Sequence, residues 1–169
     1  MILMWTDNLS VGIKYFDEDH KRIVRMINEL HDAILRVDAS GQIAEYEIEI
    51  ALHRLENYFQ YHCIQEEVFM LKIAYPEIEV HKQLHRAFFE KVSAISQAFR
   101  GSRSPMHANE LMQFIYEWLT DHIHITDKKY ADYFATCKIS PDFFQYLKST
   151  NADRNRLLNG AVPVKSQPD

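Results

Sequence analysis

Apolar residues recur at every third or fourth position through four long stretches of this sequence, which is the spacing of one buried face of an α-helix. Only four glycines and five prolines occur among the 169 residues, so the many turns of a β-sandwich or β-barrel are not favoured. The turn residues between the stretches predict helices at about 18–38, 42–71, 77–100 and 105–135, with Asp17 as the first N-cap. Because short connections make consecutive helices antiparallel, the fold class we expect is all-α, an up-down-up-down antiparallel four-helix bundle.

The two ends of the chain do not follow the helical stripes. We expect residues 1–15 to form an irregular N-terminal arm that lies across the bundle and is anchored by Trp5. Ser140-Pro141 has the pattern of an N-cap followed by a first-turn proline, which predicts a short helix and then a mobile tail from Gly160. We therefore expect a bundle domain at 1–137 and a C-terminal extension at 138–169. The extension could cover the bundle, pair two subunits or bind a partner.

Charge and cysteine content exclude several classes of protein. The formal net charge is -5, and the sequence shows neither a basic stripe for nucleic acid nor a polybasic cluster for an anionic membrane. The N-terminal apolar run ends after Trp5, too short for a signal peptide or a membrane span. Cys63 and Cys137 have no CxxC spacing, so neither a disulfide framework nor a zinc site is indicated. We expect a cytoplasmic protein, either a monomer or a homodimer.

The nine histidines can be sorted by the helix face on which they lie, at about 100° per residue. His124 is in register with polar residues, and His53 lies about 180° around the helix from His62, so both are expected in solvent. His31 shares the face of His20 but lies about 16 Å further along the helix, and His107 falls at a helix start. The inward positions are those in register with the apolar stripes, namely His20, His62, Glu66, His81, His85 and His122.

Antiparallel packing brings the start of one helix beside the end of the next, so these inward residues fall in one layer near one end of the bundle. A single inward histidine is most simply a hydrogen-bonded core residue. Burying this many polar groups without partners would cost several kcal/mol each, roughly, and a bound metal would satisfy them. Imidazole and carboxylate ligands without thiolate suit iron, zinc or manganese.

These residues, in this order, resemble the bacterial hemerythrins. The resemblance runs from Trp5 to about Tyr133 and includes the pairs His62-x-x-x-Glu66, His81-x-x-x-His85 and His122-x-x-x-x-Asp127. Flanking residues match as well: the early tryptophan, Tyr58-Phe59, Glu66-Glu67 and Trp118-Leu119.

The resemblance implies a site with two iron ions. His81, His85 and His122 would bind one iron and His20 and His62 the other, while Glu66, Asp127 and a solvent-derived oxo or hydroxo oxygen would bridge them. These donors fall one short of two octahedra, so the two-histidine iron would keep an open position for dioxygen. The residues expected to line the dioxygen pocket, or simply to pack in the core, are Ile23, Cys63, Trp118, Leu119 and Ile123. Cys63 departs from the family, which often has Phe there.

Asp127 follows His122 by five residues, which places the two side chains about 140° apart on a straight α-helix. We therefore predict that the fourth helix is locally widened, or that Asp127 reaches in from its edge.

The function implied is reversible dioxygen binding for carriage, storage or supply, without enzyme activity. A di-iron oxidase-type enzyme is a competing interpretation, although such sites typically have four carboxylates and two histidines, the reverse of the balance in this sequence. The pattern is also compatible with a sensor of oxygen, nitric oxide or iron, and with a helical bundle that holds no metal.

Overall fold

The computed structural model describes residues 2–36, 45–102, 104–137 and 143–145, and within these ranges it contains helices and no β-strand. The principal helices are α1 (Lys14–Leu35), α2 (Glu45–Lys72), α3 (Ile78–Ser102), α4 (Pro105–Asp121) and α5 (Lys128–Phe134). A π-helical segment, His122–Asp127, joins α4 to α5. Helix α1 packs against α2 and α4, and α3 packs against α2 and α4. The predicted all-α four-helix bundle is confirmed, with α4, the π segment and α5 together forming the fourth member.

The first helix begins earlier than predicted. Ile13, in extended backbone, precedes α1 and makes no side-chain capping bond, so the assignment of Asp17 as the N-cap is wrong. The carboxylate of Asp17 instead accepts hydrogen bonds from the Ser10 hydroxyl at 2.7 Å and the Val11 backbone N–H at 2.8 Å. Burial of Tyr15 explains the extra turn, since its ring enters the core from a helical position.

The N-terminal arm is irregular except for a short 3-10 turn, Asp7–Leu9. Asn28 on α1 fixes the start of the arm: its side-chain oxygen accepts from the backbone N–H of Ile2 and Leu3, and its amide donates to the Leu3 carbonyl. Trp5, the predicted anchor, is only half-buried and lies under the Lys21 ammonium, 5.3 Å from the ring centre. Asn28 therefore anchors the start of the arm through three hydrogen bonds.

Local hydrogen bonds explain where α4 begins and where α2 ends. The Ser104 side chain accepts a hydrogen bond from the Met106 N–H at 3.2 Å, and Pro105 is the first residue of α4, an arrangement typical of helix starts. After α2, the N–H of Tyr75 donates to the Met70 carbonyl at 2.9 Å. Ala74 takes the left-handed conformation, φ 53°, that this type of helix end requires.

Contacts along the chain divide it into two compact units, Met1–Cys137 and Lys138–Asp169. In the second unit the described residues, 143–145, are helical, and the rest of the predicted short helix and tail lies outside the described residues. No described helix has the length and apolarity needed to cross a membrane.

Candidate metal centre

Seven polar side chains lie inside the end of the bundle where α1 begins, α2 ends and α3 begins. Helix α1 supplies one, α2 two, α3 two and the π segment the last two. All seven are buried, with exposures from 0% to 6%. They are the seven predicted metal ligands: His20, His62, Glu66, His81, His85, His122 and Asp127.

The five imidazoles form two groups whose Nε2 atoms face one another. In the first group, Nε2 of His85 lies 3.1 Å from Nε2 of His81 and 3.2 Å from Nε2 of His122. In the second group, Nε2 of His20 lies 3.1 Å from Nε2 of His62. Three ring nitrogens that converge in this way cannot all donate to and accept from one another, because a neutral imidazole carries a single N–H. A cation placed among their lone pairs satisfies each group.

Glu66 lies between the two imidazole groups and directs one oxygen to each. Its Oε1 lies 3.7 Å from Nε2 of His20 and 3.5 Å from Nε2 of His62. Its Oε2 lies 3.7 Å from Nε2 of His81 and 3.5 Å from Nε2 of His85. This position is that of a carboxylate shared between two cations.

Asp127 is divided between the groups in the same way. Its Oδ2 lies 3.5 Å from Nε2 of His20, while its Oδ1 lies 3.5 Å from His81 and 3.1 Å from His122. Both Asp127 oxygens and Oε2 of Glu66 are buried without a hydrogen-bond partner. Unpaired buried carboxylate oxygens are strongly unfavourable, so this donor set fits a pair of metal ions.

The π segment explains how His122 and Asp127 both reach the cluster. In a π-helix the hydrogen bonds join residues five apart, so side chains with that spacing lie on one face. Residues His122–Asp127 form such a segment, with the two ligand candidates at its ends. The predicted local widening of the fourth helix is confirmed.

Hydrogen bonds behind the cluster fix several of its members. Tyr130, fully buried, donates its hydroxyl to Oε1 of Glu66 at 2.6 Å. Nδ1 of His85 lies 3.0 Å from Oε1 of Glu67. Sequence reasoning assigned no role to Tyr130 or Glu67. The signals were present, because Tyr130 follows Asp127 by nearly one helical turn and Glu67 follows Glu66 directly.

Asp19 is a third residue that sequence reasoning missed. Its Oδ2 lies 3.7 Å from Nδ1 of His62, and its Oδ1 accepts a hydrogen bond from the Tyr58 hydroxyl at 2.6 Å. Asp19 precedes His20 near the start of a helix, where the sequence predicts a carboxylate exposed to solvent. Only the packing of α2 against α1 shows that it is buried.

Charges within the cluster shift the pKa values of its members. Burial opposes ionisation of Glu66, but the charge of His62 and hydrogen bonds from neighbouring imidazoles outweigh burial and hold the pKa of Glu66 well below its ordinary range. Burial also opposes a charge on His85, but Cys63 and the nearby carboxylates raise the pKa of His85 to about 12. Burial lowers the pKa of His122. The cluster therefore presents ionised carboxylate, which binds cations, and a proton on His85 that a cation would displace.

Each of the five residues expected around the dioxygen pocket is within four residues of a candidate ligand in the sequence. Ile23, Leu119 and Ile123 are buried, and Trp118 is half-buried. The Trp118 ring stacks on the His122 imidazole, with centroids 4.0 Å apart and planes at 16°. Burial raises the pKa of the Cys63 thiol to about 12, so it is a protonated thiol at neutral pH.

The other four histidines stay out of the cluster, as predicted from the helix faces of His53 and His124, the distance of His31 and the helix-start position of His107. His53 pairs with Asn57 at the surface, and His124 is exposed and within 3.2 Å of the Asn8 carbonyl. His31 lies 3.3 Å from the Asp32 carboxylate, and His107 lies near Ser102 at the start of α4.

An antiparallel helical bundle with paired groups of imidazoles and shared carboxylates in its core defines the class: a four-helix protein with a site for two metal ions. Residues 11–134 match the family model described as the hemerythrin HHE cation binding domain. The chain belongs to the hemerythrin family. The family comprises di-iron, oxygen-binding proteins.

Individual relatives agree with this assignment. A bacteriohemerythrin of Pseudomonas aeruginosa is 35% identical over 130 residues, which cover 77% of this chain and 80% of the relative. A bacteriohemerythrin of Stenotrophomonas maltophilia is 30% identical over 133 residues, covering 78% and 80%. The crystal structure of a wild-type hemerythrin matches with a TM-score of 0.67 and 26% identity, covering 78% of this chain and 97% of that one.

Proposed function

We propose that this protein binds dioxygen reversibly at a non-haem di-iron centre, for oxygen carriage, storage or supply. The observation that carries the proposal is the position of Glu66 and Asp127, each of which directs one oxygen to each of two imidazole groups. A mononuclear site would need only one such group.

We propose a role for each ligand of the cluster. His81, His85 and His122 would hold one iron, and His20 and His62 the other. Glu66 and Asp127 would bridge the pair together with an oxo or hydroxo oxygen from solvent. When bound, a pair of ferrous ions would supply the reversible two-electron chemistry that dioxygen binding needs.

The unequal number of imidazoles would direct dioxygen to one side of the site. Two histidines would leave a position open on the second iron, whereas three would leave none on the first. The side chains that we propose to surround this position include Ile23 on α1 and Leu119 on α4, both of which are buried. By excluding water, these side chains would keep water and protons away from dioxygen bound at this position.

The balance of ligands separates this proposal from an oxidase-type enzyme. Five imidazoles and two carboxylates form the cluster, whereas di-iron carboxylate enzymes on related bundles use four carboxylates and two histidines. Fewer anionic ligands stabilise the ferric state less, which favours release of dioxygen over oxidation of a substrate. We therefore propose that the protein is not an enzyme.

The test is the visible spectrum of the iron-loaded, reduced protein under argon, after addition of oxygen and after purging. The expected result is a charge-transfer absorption that appears with oxygen and disappears on purging over several cycles. His53→Ala is the matched control, since His53 is exposed and lies outside the cluster, and should behave as wild type. Irreversible loss of the absorption together with repeated oxidation of an added substrate would instead identify an enzyme. Loss of the absorption within one oxygenation cycle, without an oxidised substrate, would favour a sensor.

A further inference from the structure

Three side chains form a line from the surface of the bundle to one imidazole of the metal centre. The guanidinium of Arg22 lies over the Tyr58 ring at 4.7 Å. The Tyr58 hydroxyl donates to Oδ1 of Asp19 at 2.6 Å, and Oδ2 of the same carboxylate lies 3.7 Å from Nδ1 of His62. His62 directs its other nitrogen, Nε2, towards His20 and the centre of the cluster.

Oδ2 of Asp19 and Nδ1 of His62 are both buried and both lack a hydrogen-bond partner. The two atoms are complementary, because an imidazole that uses Nε2 as a metal ligand carries its single proton on Nδ1. Their separation exceeds a hydrogen bond by less than 1 Å, within the adjustment expected when a ligand orders a site. Each atom is therefore the only evident partner for the other among the described residues.

We propose that Asp19 is a positioning residue that orients His62 and, together with Tyr58, sets how strongly His62 donates electrons to the metal. This inference rests on the proposed di-iron site. A carboxylate that accepts the Nδ1 proton fixes the ring orientation and raises the basicity of the coordinating nitrogen. The Tyr58 hydroxyl opposes this effect, because its hydrogen bond withdraws negative charge from the same carboxylate.

The corresponding carboxylate on the other side of the centre is more exposed. Glu67 lies 3.0 Å from Nδ1 of His85, but 27% of its side chain is accessible, compared with 10% for Asp19. Water screens an exposed charge more effectively than a buried one. The tuning by Asp19 therefore acts most strongly on the two-histidine side, where the proposed open position lies.

The two members of the pair should move the reduction potential of the iron centre in opposite directions. Asp19→Asn replaces a charged acceptor with a weaker neutral one, so His62 donates less and the potential rises. Tyr58→Phe removes the hydrogen bond that weakens the carboxylate, so His62 donates more and the potential falls. A merely structural role would not give opposite signs.

The experiment is a mediated redox titration of the full-length, iron-loaded protein under argon, with the iron content of each variant measured beforehand. Asp19→Glu, which keeps the charge, should restore the potential most of the way to wild type. Tyr61→Phe is the matched control: it also removes a tyrosine hydroxyl from α2, but one that pairs with Tyr15 at 3.1 Å, and it should leave the potential unchanged. Competition with a chelator should show about tenfold or greater loss of iron affinity in Asp19→Asn.

Shifts of opposite sign in Asp19→Asn and Tyr58→Phe support the proposal. Shifts of the same sign, or no shift in variants that hold two irons, overturn it. If Asp19→Asn retains too little iron to titrate, Tyr58→Phe decides alone: a lowered potential supports the proposal and an unchanged one overturns it. A wild-type protein that fails to hold two irons would instead contradict the proposed function, so the two failures are distinct.

Discussion

Replacing Tyr130 with Phe removes a single atom from the centre of the bundle, the hydroxyl oxygen that donates to Glu66 at 2.6 Å. The ring should keep its place, because it packs edge-on against Phe16 and Phe69 with centroids 5.7 and 5.8 Å away. Both partners of the lost hydrogen bond are fully buried, so no water replaces it. A hydrogen bond to a charged group contributes about 1.5–3 kcal/mol, which corresponds to roughly 3–12 °C in Tm for a chain of this size.

Urea denaturation of the metal-free protein, followed by circular dichroism, measures this loss. Tyr133→Phe is the matched control, since its hydroxyl donates to the Ala74 carbonyl at 3.3 Å in an exposed position, and it should cost under about 1 kcal/mol. The slope of the free energy of unfolding against urea concentration should be the same in both variants, because the surface exposed on unfolding does not change. A loss in Tyr130→Phe no larger than in Tyr133→Phe would show that the buried hydrogen bond to Glu66 does not stabilise the fold.

Three further outcomes are expected. Ala74→Gly should raise the free energy of unfolding by about 1 kcal/mol in urea titrations, because φ at this position is 53° and glycine adopts it without strain; destabilisation would contradict this. Deleting Ile125, which is 56% exposed, should convert the π segment to α-helix and leave His122 and Asp127 about 40° apart. That variant should keep both irons, and loss of iron from it would show that the wider turn itself is required. The pKa of His85 is raised to about 12, so iron must displace a proton to bind there. Iron affinity, measured by competition with a chelator, should therefore fall about tenfold for each pH unit as the pH decreases from about 8 to about 6. An affinity that does not change with pH would exclude this competition.

Most of the fold could be predicted because the helices carry continuous apolar stripes and few residues that break helices. The layer of inward histidines followed from the same periodicity, together with the antiparallel order of the helices. Helix ends were less predictable. Asp17 has the residue type of an N-cap, but the core extends one turn further towards the N-terminus through Tyr15, and tertiary packing outweighed local capping.

The residues around the ligands were harder to predict than the ligands themselves. Asp19 and Glu67 belong to acidic runs at the edges of the buried faces, and periodicity assigns such residues to solvent. Their contacts with His62 and His85 depend on how neighbouring helices are rotated against one another, which an apolar stripe defines only to within about a third of the helix circumference. Asp127 was assigned through the family resemblance, and the π segment supplies the physical reason for its unusual spacing.

We propose that two iron ions lie between five imidazoles and two shared carboxylates. Crystals of the iron-loaded protein, measured on both sides of the iron absorption edge, test it most directly through the anomalous difference map. We expect two peaks per chain inside the bundle, one against Nε2 of His81, His85 and His122 and the other against Nε2 of His20 and His62. A single peak, no peak, or peaks at exposed histidines such as His53 would contradict it.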